Sequence, residues 1–251
     1  TIVFNPSEHD YKNSIRILAD IISHFSELDI PKSILKIFDD KDGDQNTTQL
    51  QENDLFDNPE PRIPVVMVLD TSSSMLIKDN GKDSRIDILN NGIRQFFHDV
   101  IEDERTKDSV EVCIVTFDET IKKISDFGRP EKQTIYNLKA EGKDTFIGQG
   151  VIKALEILEN RKKEYRNSGV EYYQPWIVLM TDGFPTEDIT VASKRLCELV
   201  RQQKITVFPV GISKGADLTT LNLFSPKRPA LRLKNYHFRE FFEWLHKSAI
   251  R

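Results

Sequence analysis

Cysteine is scarce here: Cys113 and Cys197 are the only two in 251 residues. They lie far apart in apolar stretches and form no C-x-x-C or Cys/His spacing, so a thiolate metal site is excluded and two buried thiols are expected. Long hydrophobic runs are missing as well, none approaching the roughly 20 residues a spanning helix needs. The opening Thr-Ile-Val-Phe-Asn-Pro has neither a basic start nor a long apolar stretch, and the chain begins without Met. No signal peptide is visible in it, and a cytoplasmic location is the expectation. Surplus positive charge is lacking: 35 Lys and Arg against 40 Asp and Glu leave a formal charge of -5. With no basic stripe interleaved with aromatics, a surface dedicated to nucleic acid is excluded. There is no internal repeat, no G-x-S-x-G elbow and no phosphate-cradling G-x-x-x-x-G-K.

What remains suits a soluble protein with an ordinary core, 38% hydrophobic and 30% charged. Tyr11, Ile15, Leu18, Ile22 and Phe25 recur three or four apart, which predicts a helix. Asp29 and Pro31 read as the start of a second one carrying Ile34, Leu35, Ile37 and Phe38. Residues 1–38 are thus a helical N-terminal extension whose apolar faces need a docking surface. Residues 39–61 are polar and acidic and close on Pro59 and Pro61, a linker by composition. Within it Asp40-Lys-Asp42-Gly-Asp44 suggests a calcium loop, but Gln45 and Gln51 stand where such a loop needs glycine and glutamate. A solvated acidic loop is the better reading.

From residue 62 to 251 strands and helices alternate. Ile63 to Leu69 is a near-continuous apolar run, as expected of a strand buried on both faces. A helix follows with Ile86, Leu89, Ile93, Phe96, Phe97 and Val100 on one side. Then come strands at 110–117 and 120–127, a helix at 146–165 and an apolar strand at 176–180. A helix at 189–200, a strand at 205–210, a short edge strand at 230–233 and a closing helix at 238–250 complete the pattern. This alternation predicts an α/β fold, a doubly wound, mainly parallel sheet with helices on both faces.

Ligands of such sheets bind beyond the carboxyl ends of the strands, and two acidic motifs fall at such ends. Asp70-Thr71-Ser72-Ser73-Ser74 follows the first apolar strand, and Thr181-Asp182-Gly183 follows the strand ending at Met180. Carboxylates crowded at the tip of a hydrophobic strand are costly unless paired or bound to a cation. Two serine hydroxyls two residues apart can face one hard cation, with Asp70 and Asp182 holding it through water or fixing the serines. Gly183 lets the backbone turn away beside them.

D-x-S-x-S, a distant threonine and T-D-G in this order resemble the metal-ion-dependent adhesion site of von Willebrand factor A (VWA) domains. Asn90-Asn91-Gly92, Val115-Thr116-Phe117, the segment Arg161 to Arg166, Tyr172-Tyr173-Gln174-Pro175-Trp176 and Phe184-Pro185-Thr186 extend the likeness toward the bacterial tellurite-resistance, TerY-type branch. The resemblance spans residues 62–251 and implies a Rossmann-like VWA fold. It also implies a Mg2+ or Mn2+ ion ligated by Ser72, Ser74 and Thr145, with Asp70 and Asp182 bound directly or through water. The family usually has glycines just before the threonine, where this chain has Lys143-Asp144; the segment 77–85 is also longer than usual and brings Lys78, Asp79, Lys82 and Asp83 to the site rim. The implied function is non-enzymatic: a protein partner offers an acidic side chain to the metal. Family context adds stress-response or phage-defence settings with a protein kinase and a PP2C-type phosphatase.

Asp118, Glu119, Glu187 and Asp188 read as ordinary solvated loop acids, with tuning of partner approach at the site rim as the alternative; Arg161 to Arg166 read as an exposed helix end, and Tyr172, Tyr173 and Trp176 as packing at a strand start. Two other readings stay open. A metal-dependent phosphatase or hydrolase would use Asp70 or a serine as nucleophile, although all five histidines fall outside the motif loops. A metal-free scaffold would recruit through its N-terminal helices instead.

Overall fold

The computed structural model describes residues 58–233 apart from positions 59, 80, 81, 135, 136, 183 and 214. The N-terminal helices, most of the acidic linker with its Asp40 to Gln51 loop, Gly183 and the closing helix lie outside the described residues. Among the described residues six strands form one sheet: β1 (Ile63–Asp70), β2 (Val110–Phe117), β3 (Ile121–Gly128), β4 (Trp176–Thr181), β5 (Thr206–Gly211) and β6 (Leu231–Arg232). Their order is β3-β2-β1-β4-β5-β6. Only the β2–β3 pairing is antiparallel, because the two strands share a tight turn. The expected doubly wound α/β architecture is present.

All eight residues of β1 are buried, since it pairs in parallel with β2 on one side and β4 on the other. Its side chains alternate between two cores. Val65, Met67 and Leu69 face α1 (Arg85–Glu102), meeting Leu89, Ile93, Phe96 and Val100. Val66 and Val68 face α2 (Ile147–Asn167) and α3 (Thr190–Arg201), meeting Val151, Leu155, Leu158 and Leu196. A strand feeding two cores must be apolar at every position, so its sequence shows no alternation. A short helix, α4 (Leu218–Asn222), follows β5.

The start of α1 is fixed by a capping box: the Ser84 backbone N–H donates to the Asp87 carboxylate at 3.0 Å and the Asp87 N–H to the Ser84 hydroxyl at 3.3 Å. Asn90, on the buried face of α1, donates to the Leu138 carbonyl and accepts from the Leu138 N–H, both at 2.9 Å. One side chain therefore satisfies a buried loop backbone as a neighbouring strand would.

At the amino end of the sheet lies a buried ion cluster. Glu111 of β2 accepts from Arg161 Nε at 3.0 Å, from Arg161 Nη2 at 2.7 Å and from the Tyr165 hydroxyl at 2.5 Å, and pairs with Arg62 at 3.3 Å. The expected exposed helix end is corrected here: Arg161, Lys162 and Tyr165 are buried, because Arg161 and Tyr165 converge on Glu111. Arg62 also donates to the carbonyls of Asn58 and Glu60, and the Asn58 amide reaches the Asp108 carbonyl at 2.6 Å. The approach to β1 is thus fastened to the domain. Tyr172 stacks on Tyr165 and Trp176 meets Phe208 edge-on, the packing roles expected of them, whereas Tyr173, expected to pack as well, is exposed. Cys113 is buried as expected, whereas Cys197 is only half-buried.

Candidate functional site

The chain runs from β1 to β2 on one side of the sheet and later returns to β4 on the other, so the carboxyl ends of β1 and β4 flank the point where strand order reverses. Asp70 ends β1 and Thr181 ends β4, one step beyond the paired Leu69 and Met180. The Thr181 hydroxyl donates to Asp70 Oδ2 at 2.5 Å, and the Ser72 N–H donates to Oδ1 at 2.8 Å. The second bond is an Asx-turn, which curls the chain back over the strand end. Burial pushes the Asp70 carboxyl up to about 6, against the lowering effect of its Ser72 and Thr181 bonds and with a smaller upward push from the Asp182 charge.

Past the turn, Ser73–Leu76 form one 3-10 turn that aims Ser74 back toward Ser72. Their hydroxyl oxygens lie 3.0 Å apart. The Ser74 hydroxyl donates in turn to Asp182 Oδ1 at 2.5 Å. Asp70, Ser72, Ser74 and Asp182 are therefore one hydrogen-bonded chain across the two strand ends. Thr145 is buried but is held differently, by its backbone: its N–H donates to the Thr186 hydroxyl at 2.9 Å and its carbonyl accepts from the Thr186 N–H at 3.2 Å. This ties the loop before α2 to the loop after β4.

That loop is positioned from below by Gly142. Its carbonyl accepts from the Ser73 N–H at 2.6 Å, and Ser72 and Gly142 form an isolated parallel bridge. A Cβ at Gly142 would lie 2.1 Å from the Cβ of Asp118, so only glycine permits the approach. The glycine this loop requires stands three residues before Thr145, rather than immediately before it.

Of the acids read as solvated loop groups, Glu119 and Asp188 are exposed and Glu187 is half-buried, whereas Asp118 is corrected to a buried fastener, and all four hold backbone N–H groups. Asp118 is buried and accepts from the Thr71 hydroxyl at 3.0 Å and from the Thr120 N–H at 2.7 Å. Glu119 accepts from the Lys143 N–H, Glu187 from the Gln149 N–H and side-chain amide, and Asp188 from the Thr190 N–H at the start of α3. Close to the two motifs in sequence stand three exposed apolar side chains: Leu76 and Ile77, two and three residues after Ser74, and Phe184, two residues after Asp182, are 53%, 47% and 64% exposed.

One residue the sequence reading missed is Arg85, the first of α1. It grips Asp79 with two bonds of 2.6 and 2.8 Å and reaches Asp182 Oδ2 at 2.5 Å. Two signals pointed to it. A cation at a helix N-terminus opposes the helix dipole and needs a compensating partner. Position 85 also precedes Leu89 by four residues, which puts it on the buried face.

Among the described residues no cluster of three or more His, Cys, Asp or Glu side chains is placed to hold a metal. The donors gathered here are of another kind, hydroxyls backed by two carboxylates. An octahedral magnesium with bonds near 2.1 Å has neighbouring ligands about 3 Å apart, and the Ser72–Ser74 oxygens match that edge.

The fold recurs in solved structures. A minor pilin, PilB of Streptococcus sanguinis, matches with a TM-score of 0.53 at 18% identity, over 76% of this chain and 61% of that one. BatB of Bacteroides thetaiotaomicron matches at 0.51 and 17%, over 75% of this chain and all of that one. Proximal thread matrix protein 1 of the mussel byssus, in a form with a zinc-occupied adhesion motif, matches at 0.53 and 16%, over 76% and 48%. The chain thus spans about half the length of the byssal protein. No curated protein sequence matches. The sequence profile of the von Willebrand factor type A domain matches residues 65–243, strand ends and both acidic motifs included, and on that match the chain belongs to this family.

Proposed function

We propose that this VWA domain is a non-enzymatic interaction module that grips a protein partner through a divalent metal held by Ser72, Ser74 and Thr145, with Asp70 and Asp182 behind them. The observation that carries this reading is the 3.0 Å spacing of the two serine oxygens beside a Ser74–Asp182 bond of 2.5 Å. Mg2+ or Mn2+ there supplies an electrophilic position for a partner's Asp or Glu carboxylate. The neutral hydroxyls leave the ion's charge largely uncompensated, which favours an acidic ligand. Leu76, Ile77 and Phe184 offer apolar contact close to the two motifs, so the fitting partner carries its acid among apolar side chains. A protein kinase and a PP2C-type phosphatase, in a bacterial stress-response or phage-defence setting, are the partners proposed from the TerY-type likeness.

Among the described residues the one histidine, His98, is exposed on α1 some 13 positions, about 20 Å, from the start of that helix. Among the described residues no helix is long and apolar enough to cross a membrane. The test is calorimetric titration of Mg2+ and Mn2+ into wild type and a Ser72→Ala/Ser74→Ala variant, with thermal melts alongside. Uptake of one ion by wild type alone, with equal melts in chelator, is expected. Equal uptake by both would refute the assignment, and metal-dependent turnover of p-nitrophenyl phosphate would replace it with the phosphatase reading.

A further inference from the structure

Asp182 is the residue on which two separate networks meet. Its side chain is wholly buried, one oxygen taking the Ser74 hydroxyl and the other the Arg85 guanidinium. The Arg85 side chain is itself buried to all but 11%, and its guanidinium is shared with Asp79, which lies between the Ser73–Leu76 turn and α1. Its Nη1 also lies 3.4 Å from the Ser74 carbonyl. An arginine gripped at both ends cannot leave Asp182 without breaking a bidentate pair. It is also fixed at its backbone, where the Arg85 N–H donates to the Ile77 carbonyl at 3.1 Å.

We infer that Arg85 is a positioning residue that draws the outer oxygen of Asp182 toward α1, withholds part of that carboxylate's charge from the metal site, and so sets metal affinity. Asp79 adjusts the hold from the other side. This inference rests on the metal reading above and adds a control that the adhesion motif does not contain. The reasoning is electrostatic. A cation entering between Ser72, Ser74 and Asp182 shares Asp182 with a guanidinium already bonded to it, and the two positive charges repel at short range in a partly desolvated setting. Removing the guanidinium returns the whole charge of Asp182 to the site. Removing Asp79 has the opposite effect, since Arg85 loses its other counter-charge and commits more fully to Asp182. The Asp79–Arg85 pair thereby becomes an affinity control, and a change that pulled Asp79 away would alter metal binding without touching a ligating residue.

The test is Mn2+ titration by calorimetry of wild type, Arg85→Gln and Asp79→Asn at one pH, with melts in chelator to show folding. Arg85→Gln is expected to bind Mn2+ roughly tenfold more tightly or better, and Asp79→Asn several-fold more weakly. Opposite signs are the signature, because a merely structural role would weaken both variants or neither. Weaker or unchanged binding by folded Arg85→Gln, with wild type binding normally, overturns the inference and leaves the metal site standing. Should Arg85→Gln fail to fold, Asp79→Asn decides: weaker binding supports the inference, unchanged or tighter binding overturns it. Uptake by Arg85→Gln alone supports it. Uptake by none of the three refutes the metal reading, and this inference with it.

Discussion

Replacing Asp70 by Asn is expected to stabilise the fold in chelator at neutral pH. Burial raises the Asp70 carboxyl from an ordinary 3.8 to about 6. An acid whose pKa is higher in the folded chain favours folding fully below its unfolded value, and that stability is lost as pH rises through 4 to 6. Above pH 6 the folded protein carries a buried charge worth about 3 kcal/mol of lost stability. The Asp70→Asn change removes that charge while the new amide oxygen still accepts from the Ser72 N–H, although the weaker bond to Thr181 returns about 1 kcal/mol. The variant should therefore lead wild type by about 2 kcal/mol at pH 7.5, a rise in Tm of roughly 4 to 8 °C for a domain of this size. Urea unfolding of both proteins in EDTA between pH 4 and 7.5 reads the difference. It should grow by about 2 kcal/mol across that range and level off above pH 6. A difference that stays flat with pH would refute the claim that a buried carboxylate is the cause. In saturating Mn2+ the order should reverse, since wild type gains about 2.7 kcal/mol at a hundred times Kd and the variant does not.

Three further outcomes follow from the fold. Gly142→Ala should weaken Mn2+ uptake and cost about 1 to 3 kcal/mol, because its Cβ would collide with Asp118. Gly215→Ala, whose nearest neighbour is the Ser213 hydroxyl at 3.8 Å, should do neither, and calorimetry with melts separates the two. Glu111→Gln should cost about 3 to 5 kcal/mol in urea unfolding, by removing the buried carboxylate that Arg62 and Arg161 share and leaving Arg161 only its pair with the partly exposed Glu164. Asn90→Leu should cost about 2 to 4 kcal/mol and raise hydrogen exchange at Leu138, whose N–H and carbonyl both lose their partner.

The strands and the long helices were legible in the sequence because burial writes itself locally. β1 is apolar at every position since it feeds two cores, and α1 repeats its apolar face every three or four residues. The D-x-S-x-S and T-D-G motifs were legible because each sits at the end of such a strand. What escaped were side chains whose partners are remote. Asp118 read as a solvated acid because nothing nearby in sequence reveals Thr71, 47 positions earlier. Arg161 read as exposed because Glu111 is 50 positions upstream. Even so, Leu158, Arg161 or Lys162, and Tyr165 continue the buried stripe of α2 by the same spacing that revealed the rest of it. The charge on Arg161 hid a periodicity that was there to be read, and Arg85 was hidden in the same way.

The fastening of Asn58 and Glu60 by Arg62 has a practical consequence. It pins the incoming chain at the amino end of β1, while Asp70 ends the same eight-residue strand, about 26 Å long, and Ser72 and Ser74 follow it. The central strand is thus anchored by charge at one end and carries the candidate site at the other. Force drawn on Asn58 enters at the Arg62–Glu111 ion cluster and runs along the central strand, which both its neighbours hold in parallel ladders.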